Sequence, residues 1–395
     1  MSALNEFVAE LASNDIKIWC DGDNLRVSGP DRVITPELRA ELSERKAELL
    51  AFLSKTTPVQ DGQPAPAPAE TTPAIPAPVI IDHEIEWPFA WEKSDLSREA
   101  GFVKISEGCA AEIARLAADL RNNPHPIEAL HPEDFDLPAC RSMMAEVKRE
   151  LVEGVGFAVI DRLDIEAIGR DEARAVYWLL CAMVERPVAQ KWSGAMYYDV
   201  ADRGKRSMRA VNTRDEIVYH TDNSFNVCPP NYVGLLCLQK AKSGGMSKIV
   251  NFAAAHNEMR RRHPELLARA YLPYVFDRQH EHAPDEERII RRPIFENHDG
   301  RMVGRVSSFH IRTGHALAGE PLDPEGEAAM EAIESIMNED GMAHEFWFEQ
   351  GQIQIVDNRR LGHKRTAFED WDEPEKKRCL MRLWLRDGDR PFYNG

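Results

Sequence analysis

Two stretches decide how this chain is read: EIVYHTDNSF at residues 216–225, and QIQIVDNRRLGHKRTAF at residues 352–368. In the first, an extended run leads into His220-Thr221-Asp222. Residues two apart on an extended strand point to the same side of the backbone, so His220 and Asp222 can address one point in space. In the second, Gln352, Gln354 and Val356 alternate with Ile353, Ile355 and Asp357. That alternation predicts a strand running into a loop that carries His363. Two histidines and one carboxylate form the facial donor set that leaves three metal positions open and suits non-haem iron(II).

Other spacings compete with this one. His131-Pro-Glu133, His256-Asn-Glu258 and His263-Pro-Glu265 are His-x-Glu matches, and with 13 histidines such matches arise by chance. Local pattern separates them. His256 and His263 lie in NFAAAHNEMRRRHPELLARAY, which has helical periodicity, and residues two apart on a helix face away from each other. His131 lies in HPEDFDLPAC, which reads as loop. His280-Glu281-His282 sits in the charged stretch DRQHEHAPDEER and reads as a polar loop near the mouth of the site. The basic run Arg203, Lys205, Arg206, Arg209 reads as a solvated face, with an acidic carrier protein or a phosphopantetheine arm as the alternative. Trp192, Tyr197 and Tyr198 are candidates for either pocket lining or core.

The chain has 395 residues, which favours two folded units. Its 43% hydrophobic content is enough for a sizeable core. A net charge of −17 argues against nucleic acid as a partner, because phosphate binding needs clustered Lys and Arg. No run is long and apolar enough to cross a bilayer and no signal pattern opens the chain, so a cytoplasmic protein without a membrane partner is expected. The 7 cysteines are scattered, with no Cys-x-x-Cys pair, and read as reduced, mostly packed thiols.

Residues 54–79, SKTTPVQDGQPAPAPAETTPAIPAPV, hold almost no large apolar side chains and many prolines. They mark an extended, semi-stiff linker. The expected division is a small domain at 1–53, a linker at 54–85 and a large domain at 86–395. In the front piece, Leu4, Phe7, Val8 and Leu11 recur at helical spacing. Ile16 and Ile18, then Leu25 and Val27, alternate around Asp21-Gly22-Asp23-Asn24, a hairpin signal. Thr35 suits an N-cap with Pro36 at the first helical position, and Leu38, Leu42, Leu49 and Leu53 stripe the following helix.

The front segment, through LASNDIKIWCDGDNLRVSG and TPELRAELSERKAELLAFL, resembles the TubC-type N-terminal docking domains of nonribosomal peptide and polyketide synthetases. The resemblance implies that the hairpin edge pairs with the C-terminal tail of an upstream synthetase protein, by strand addition. The remainder of the chain resembles the TauD/TfdA superfamily of 2-oxoglutarate dioxygenases. The motifs are HTDNSF at His220, Ser243 to Ser247, DNRRLGHKRTAF around His363, and KRCLMRLWLRDGDRPFYNG at the C-terminus.

That resemblance implies an α+β chain with a double-stranded β-helix, or jelly roll, at its catalytic core and helices outside. It implies Fe(II) held by His220, Asp222 and His363, with 2-oxoglutarate and O2 as co-substrates. Arg378 follows His363 at the family spacing for the cation that binds the distal carboxylate of 2-oxoglutarate. A guanidinium suits that role because it forks onto both oxygens. Ser247 falls where relatives often place a Thr hydroxyl on the same carboxylate. Arg382 occupies a position that in relatives holds an anionic group of the substrate. Lys364 departs from the Gly that relatives often carry there, a change that affects the loop more than the ligand.

The function so implied is hydroxylation of an aliphatic C–H in an amino acid, peptidyl or acyl intermediate of nonribosomal peptide or polyketide biosynthesis. The substrate would be presented on a carrier protein. Two alternatives stand beside it: a dioxygenase acting on a free small amino acid or organic acid, and a docking protein with an inactive oxygenase domain. The intact donor set argues against the last.

Overall fold

A computed structural model describes residues 11, 16–21, 24–28, 36–50, 78–191, 194–202, 214–279, 281–282 and 286–388. They fall into a small compact unit before residue 78 and a large one running from Pro78 to the C-terminal strand.

In the small unit, β1 (Lys17–Asp21) pairs antiparallel with β2 (Asn24–Ser28), with Lys17 opposite Ser28 and Asp21 opposite Asn24. This is the hairpin that the alternation predicts. Helix α1 (Pro36–Glu44) follows. Leu11, Ile16, Leu42 and Leu49 are buried together, with Ile18, Leu25, Val27 and Leu38 packed on them. Leu4, Phe7, Val8, Thr35 and Leu53 lie outside the described residues.

The large unit is α+β. Its two main sheets use β3 (Phe102–Val103), β4 (Phe157–Ile160), β5 (Pro187–Val188), β6 (Tyr197–Val200), β7 (Tyr232–Gln239), β8 (Ser247–Asn251), β9 (Ala343–Phe346), β10 (Ile353–Asp357), β11 (Leu361–Arg365) and β12 (Cys379–Leu385). The larger sheet runs β3-β4-β10-β7-β12-β5, with β6 also pairing with β12. The smaller runs β9-β8-β11. Every pairing is antiparallel except β3 with β4.

The period of two along the central strands divides the larger sheet into a dry face and a site face. Ile353 and Ile355 of β10, Leu236 and Leu238 of β7, and Met381, Leu383 and Leu385 of β12 point into one core. Helices α2 (Glu107–Asn122), α3 (Pro138–Val152) and α4 (Arg170–Ala182) cover that face, through Leu116, Val147, Val176 and Leu180. Tyr177 of α4 approaches so closely that a Cβ on Gly234 would lie 2.5 Å from its hydroxyl, so β7 needs a glycine there. The alternate residues, Leu235, Gln354 and Arg382, form one cross-strand row on the opposite face.

A second core gathers α5 (Phe252–Arg262) and α6 (Pro324–Met337), with Phe252, Met259, Ile333 and Met337 buried in it. Ile81 is buried in this core, and the backbone of Ile85 exchanges hydrogen bonds with the Asn257 side chain at 3.0 and 2.8 Å. Residues 78–85, expected to finish the linker, are therefore docked on the large unit. Composition alone hides this, because Ile81, with Ile80 and Ile85 packed beside it, is enough to anchor the segment.

Candidate metal centre and its cavity

The two histidines are brought together by backbone pairing between distant segments. His220 and His363 form an isolated antiparallel bridge. The His220 N–H donates to the His363 carbonyl at 3.2 Å, and the His363 N–H donates to the His220 carbonyl at 3.0 Å. Their rings lie with centroids 4.5 Å apart. His363 stands in the middle of β11, paired with Ile249 of β8, not in a loop as expected. The polar sequence DNRR that suggests a loop is instead the turn between β10 and β11, and the strand resumes at Leu361.

Only His220 of the first motif is in a bridge; the chain turns immediately after it. Asp222 is fixed in that turn by Asn358, which is fully buried. The Asn358 side-chain oxygen accepts from the Asp222 N–H at 2.8 Å, and its amide donates to the Asp222 carbonyl at 3.0 Å. The two oxygens of the Asp222 carboxylate then have different partners. Oδ1 lies 3.5 Å from His220 Nε2 and 3.6 Å from His363 Nε2. Oδ2 accepts from the Trp384 indole at 2.7 Å and pairs with Arg382 Nη1 at 3.0 Å. Such outer partners orient a ligand and leave its other atom for the metal.

The protonation states suit ligation. Burial alone would push the Asp222 carboxyl up, but Arg382 and the two histidines outweigh it and hold the group well below the usual carboxylate range. Burial, with the neighbouring His220, pushes His363 down, favouring the neutral imidazole that a metal needs. His220 Nδ1 lies 3.0 Å from the Val218 carbonyl, which directs Nε2 toward Asp222. Among the described residues, His220, Asp222 and His363 are the one such group whose donor atoms all lie within 4.8 Å of one another. An oxygen and two imidazole nitrogens converging in a buried pocket fit a divalent iron.

The cavity beside these donors is lined by Val233, Leu235, Phe348 and Leu380, and by Ser247, Gln354, Arg378 and Arg382. Arg378 is buried; its backbone N–H donates to Asp370 Oδ1 at 2.8 Å, while its guanidinium makes no ion pair among the described residues and rests 5.1 Å from the Phe368 ring. Burial lowers its pKa from the ordinary arginine value. A buried, unpaired cation facing a cavity fits an anionic ligand. Ser247, on β8, contributes a hydroxyl 3.5 Å from Gln354 Oε1.

Arg382, expected to hold an anionic group of the substrate, lines the cavity and is also partnered within the protein. Its Nη1 is committed to Asp222, its Nε donates to Gln190 Oε1 at 2.8 Å, and Tyr198 flanks it at 5.8 Å. The reason is register: β12 places Arg382 one residue pair from Trp384, so both reach the same carboxylate. Trp384, Asn358, Gln354 and Gln190 were not singled out by sequence reasoning. Trp384 carried a weak signal, the period of two that it shares with Arg382; the others carried none, because their partners are distant in the chain.

The competing histidines lie elsewhere. His256 is buried on α5 between Tyr271 and Phe295, and His263 closes that helix. Glu281 and His282, expected in a polar loop, are buried. His280, Trp192 and the run 203–209 lie outside the described residues. Lys364 is drawn aside to Glu216 at 3.0 Å and Asn338 at 2.8 Å, leaving His363 unhindered.

Residues 120–384 match the family described as "Taurine catabolism dioxygenase TauD, TfdA family". The chain belongs to the TauD/TfdA family. Residues 4–55 match the TubC N-terminal docking domain. As a TauD/TfdA protein the chain is a dioxygenase whose metal is Fe(II) and whose co-substrates are 2-oxoglutarate and O2. It is similar to FR-33289 synthase of Streptomyces rubellomurinus, 24% identical over 75% of this chain and 88% of the relative. It is also similar to taurine hydroxylase-like protein SAT17 of Stachybotrys chartarum, 23% identical over 76% and 79%. Among solved structures, asparagine oxygenase with Fe(II), 3-hydroxyasparagine and succinate aligns with a TM-score of 0.56 at 19% identity, covering 73% of this chain and 94% of that one. The non-haem iron oxygenase OrfP with iron, succinate and (3S)-hydroxy-L-Arg aligns equally well at 15% identity over the same shares. At these identities the structural likeness establishes the fold of this TauD/TfdA protein.

Among the described residues, no helix is long and apolar enough to cross a membrane.

Proposed function

We propose that this dioxygenase hydroxylates an aliphatic C–H of an amino acid, peptidyl or acyl intermediate in nonribosomal peptide or polyketide biosynthesis, in the cytoplasm. The observation that carries the reading is the convergence of His220, Asp222 and His363 beside a cavity containing the unpaired Arg378. On this reading the three converging atoms are the iron ligands. Arg378 receives the distal carboxylate of 2-oxoglutarate, and Ser247 lies in the same cavity with its hydroxyl donated to Gln354 Oε1. When bound, iron with 2-oxoglutarate and O2 supplies the oxidant that removes hydrogen from an unactivated C–H bond, releasing succinate and CO2.

The chain's own residues do the rest. Trp384 and Arg382 hold Oδ2 of Asp222, and Asn358 holds its backbone. Val233, Leu235, Phe348 and Leu380 make an apolar wall that limits water around the reacting carbon. The two sheets are the halves of a distorted jelly roll, with the histidine bridge at its mouth. Residues 1–53 form the docking domain, and the proline-rich stretch up to residue 77 is a tether that lets the catalytic domain reach a carrier. Its partner is the C-terminal tail of an upstream synthetase protein; the match to the TubC docking domain supports this.

A second reading, a free amino acid as substrate, draws on the hydroxylated amino acids bound in asparagine oxygenase and OrfP. On that reading Arg382, which lines the cavity, would hold the free carboxylate of the amino acid with the part of its guanidinium not paired to Asp222.

The test is 2-oxoglutarate-dependent hydroxylation of free and carrier-loaded candidate substrates, read by mass spectrometry. Anaerobic Fe(II) plus 2-oxoglutarate should give the weak visible charge-transfer band of a chelated keto acid, and Asp222→Ala should lose both band and product. Full hydroxylation by Asp222→Ala would refute the ligand assignment.

A further inference from the structure

We propose that Gln354 is a co-substrate-binding residue: its side-chain amide donates a hydrogen bond to the distal carboxylate of 2-oxoglutarate, oriented for this by Ser247. The inference rests on the reading in which 2-oxoglutarate lies between the histidine–aspartate group and Arg378.

Gln354 is an unexpected residue for its place. It sits in the middle of β10 with Ile353, Ile355 and Val356 around it, and is only 2% exposed. The alternation of the strand turns it away from the dry core and into the cavity, in the same row as Leu235 and Arg382. A leucine there would fill similar space without a polar group to satisfy. The amide nitrogen Nε2 is buried and has no hydrogen-bond partner among the described residues. Burying an unsatisfied donor is costly, and such groups in a cavity point to something that fills it.

The other end of the amide is occupied. Oε1 lies 3.5 Å from the Ser247 hydroxyl, which donates to it. That contact presents Nε2, not Oε1, to the cavity. The opposite amide orientation would aim a partial negative charge at any anion held by Arg378, so an anionic ligand selects the orientation with Nε2 inward. Gln354 Nε2, a buried donor lacking an acceptor, and the Arg378 guanidinium line the same cavity, and a carboxylate supplies acceptors for both. Ser247 acts through the amide as a positioning residue.

The experiment uses full-length protein loaded with Fe(II) under anaerobic conditions. The charge-transfer band is titrated with 2-oxoglutarate and with 2-oxopentanoate, which has the same chain length but ends in a methyl group. Gln354→Leu should raise the Kd for 2-oxoglutarate about tenfold or more, the scale of one charge-assisted hydrogen bond, and leave that for 2-oxopentanoate unchanged. Gln354→Glu, nearly isosteric and still an acceptor for Ser247, should weaken 2-oxoglutarate further by like-charge repulsion. It carries the test if the leucine variant folds poorly. Ser247→Ala should weaken 2-oxoglutarate in the native background and add nothing in Gln354→Leu. Equal loss for both keto acids would reduce Gln354 to a packing role and overturn the inference. So would an unchanged 2-oxoglutarate Kd accompanied by a raised KM for the hydroxylated substrate. Arg378→Ala separates the two levels. If it weakens 2-oxoglutarate while Gln354→Leu does not, this inference alone fails; if neither does, the placement of the co-substrate fails with it.

Discussion

Replacing Trp384 with Phe removes one hydrogen bond from the carboxylate at the centre of the site and little else. The indole N–H lies 2.7 Å from Asp222 Oδ2, within the range of a charge-assisted bond, and both side chains are 5% exposed. Hydrogen bonds to charged groups contribute about 1.5–3 kcal/mol. Arg382 Nη1 remains 3.0 Å from the same oxygen, so the carboxylate is not orphaned and the low end of that range applies. A loss of about 1.4 kcal/mol corresponds to a tenfold weaker metal, within the roughly 10–100-fold span seen when outer partners of metal ligands are removed. Competition of Fe(II), or the air-stable Co(II), against a chromophoric chelator measures it directly. Denaturant unfolding of the metal-free variant separates the packing change. Native metal affinity in Trp384→Phe, with only the apo stability reduced, would refute the claim that the indole orients Asp222.

Arg378→Ala should raise the 2-oxoglutarate requirement by about 30-fold or more, since losing a desolvated charge-assisted pair costs about 2–5 kcal/mol; initial rates against co-substrate concentration check this, and an unchanged KM would point to another cation. Glu345 is held down to about 2 by hydrogen bonds from Lys248 and Lys93. A depressed folded pKa gives stability that is complete above the unfolded value and is lost as pH falls toward 2. Glu345→Gln should therefore be less stable than the native chain at pH 7, with the difference shrinking below about pH 4.5; equal melting curves at pH 7 would show that this exposed pairing adds nothing. Removing residues 1–77 should leave iron binding intact, whereas removing 1–86 should also take Ile81 from its core and cost about 1.5–3 kcal/mol or more in the unfolding free energy. Identical midpoints for the two truncations would show that the docked segment is not an anchor.

Much of this molecule is written in local pattern. The hairpin around residues 21–24, the strand at 353–357 and the helical setting of His256 follow from periods of two and 3.6, which a short window of sequence contains. The donor types and the likeness to a known family were legible for the same reason: they depend on residue identity and order. What the window does not contain is pairing partner and register. His363 reads as loop after DNRR, yet it is a strand residue because β8 supplies the hydrogen bonds that hold it extended. Arg382 reads as a cation for substrate, and only the register of β12 shows that it and Trp384 also reach Asp222. Residues 78–85 read as linker, yet Ile81, flanked by Ile80 and Ile85, finds a core formed by helices far away in sequence. Gln354 reads as one polar position in an alternating strand, and only the meeting of β10 with Ser247 of the other sheet turns it into an aimed donor. Residue type, order and family likeness could point to His220, Asp222 and His363 as candidate ligands because ligation needs particular atoms. They could not assign the partners that orient those atoms, because orientation is set by contacts between segments that only the folded chain brings together.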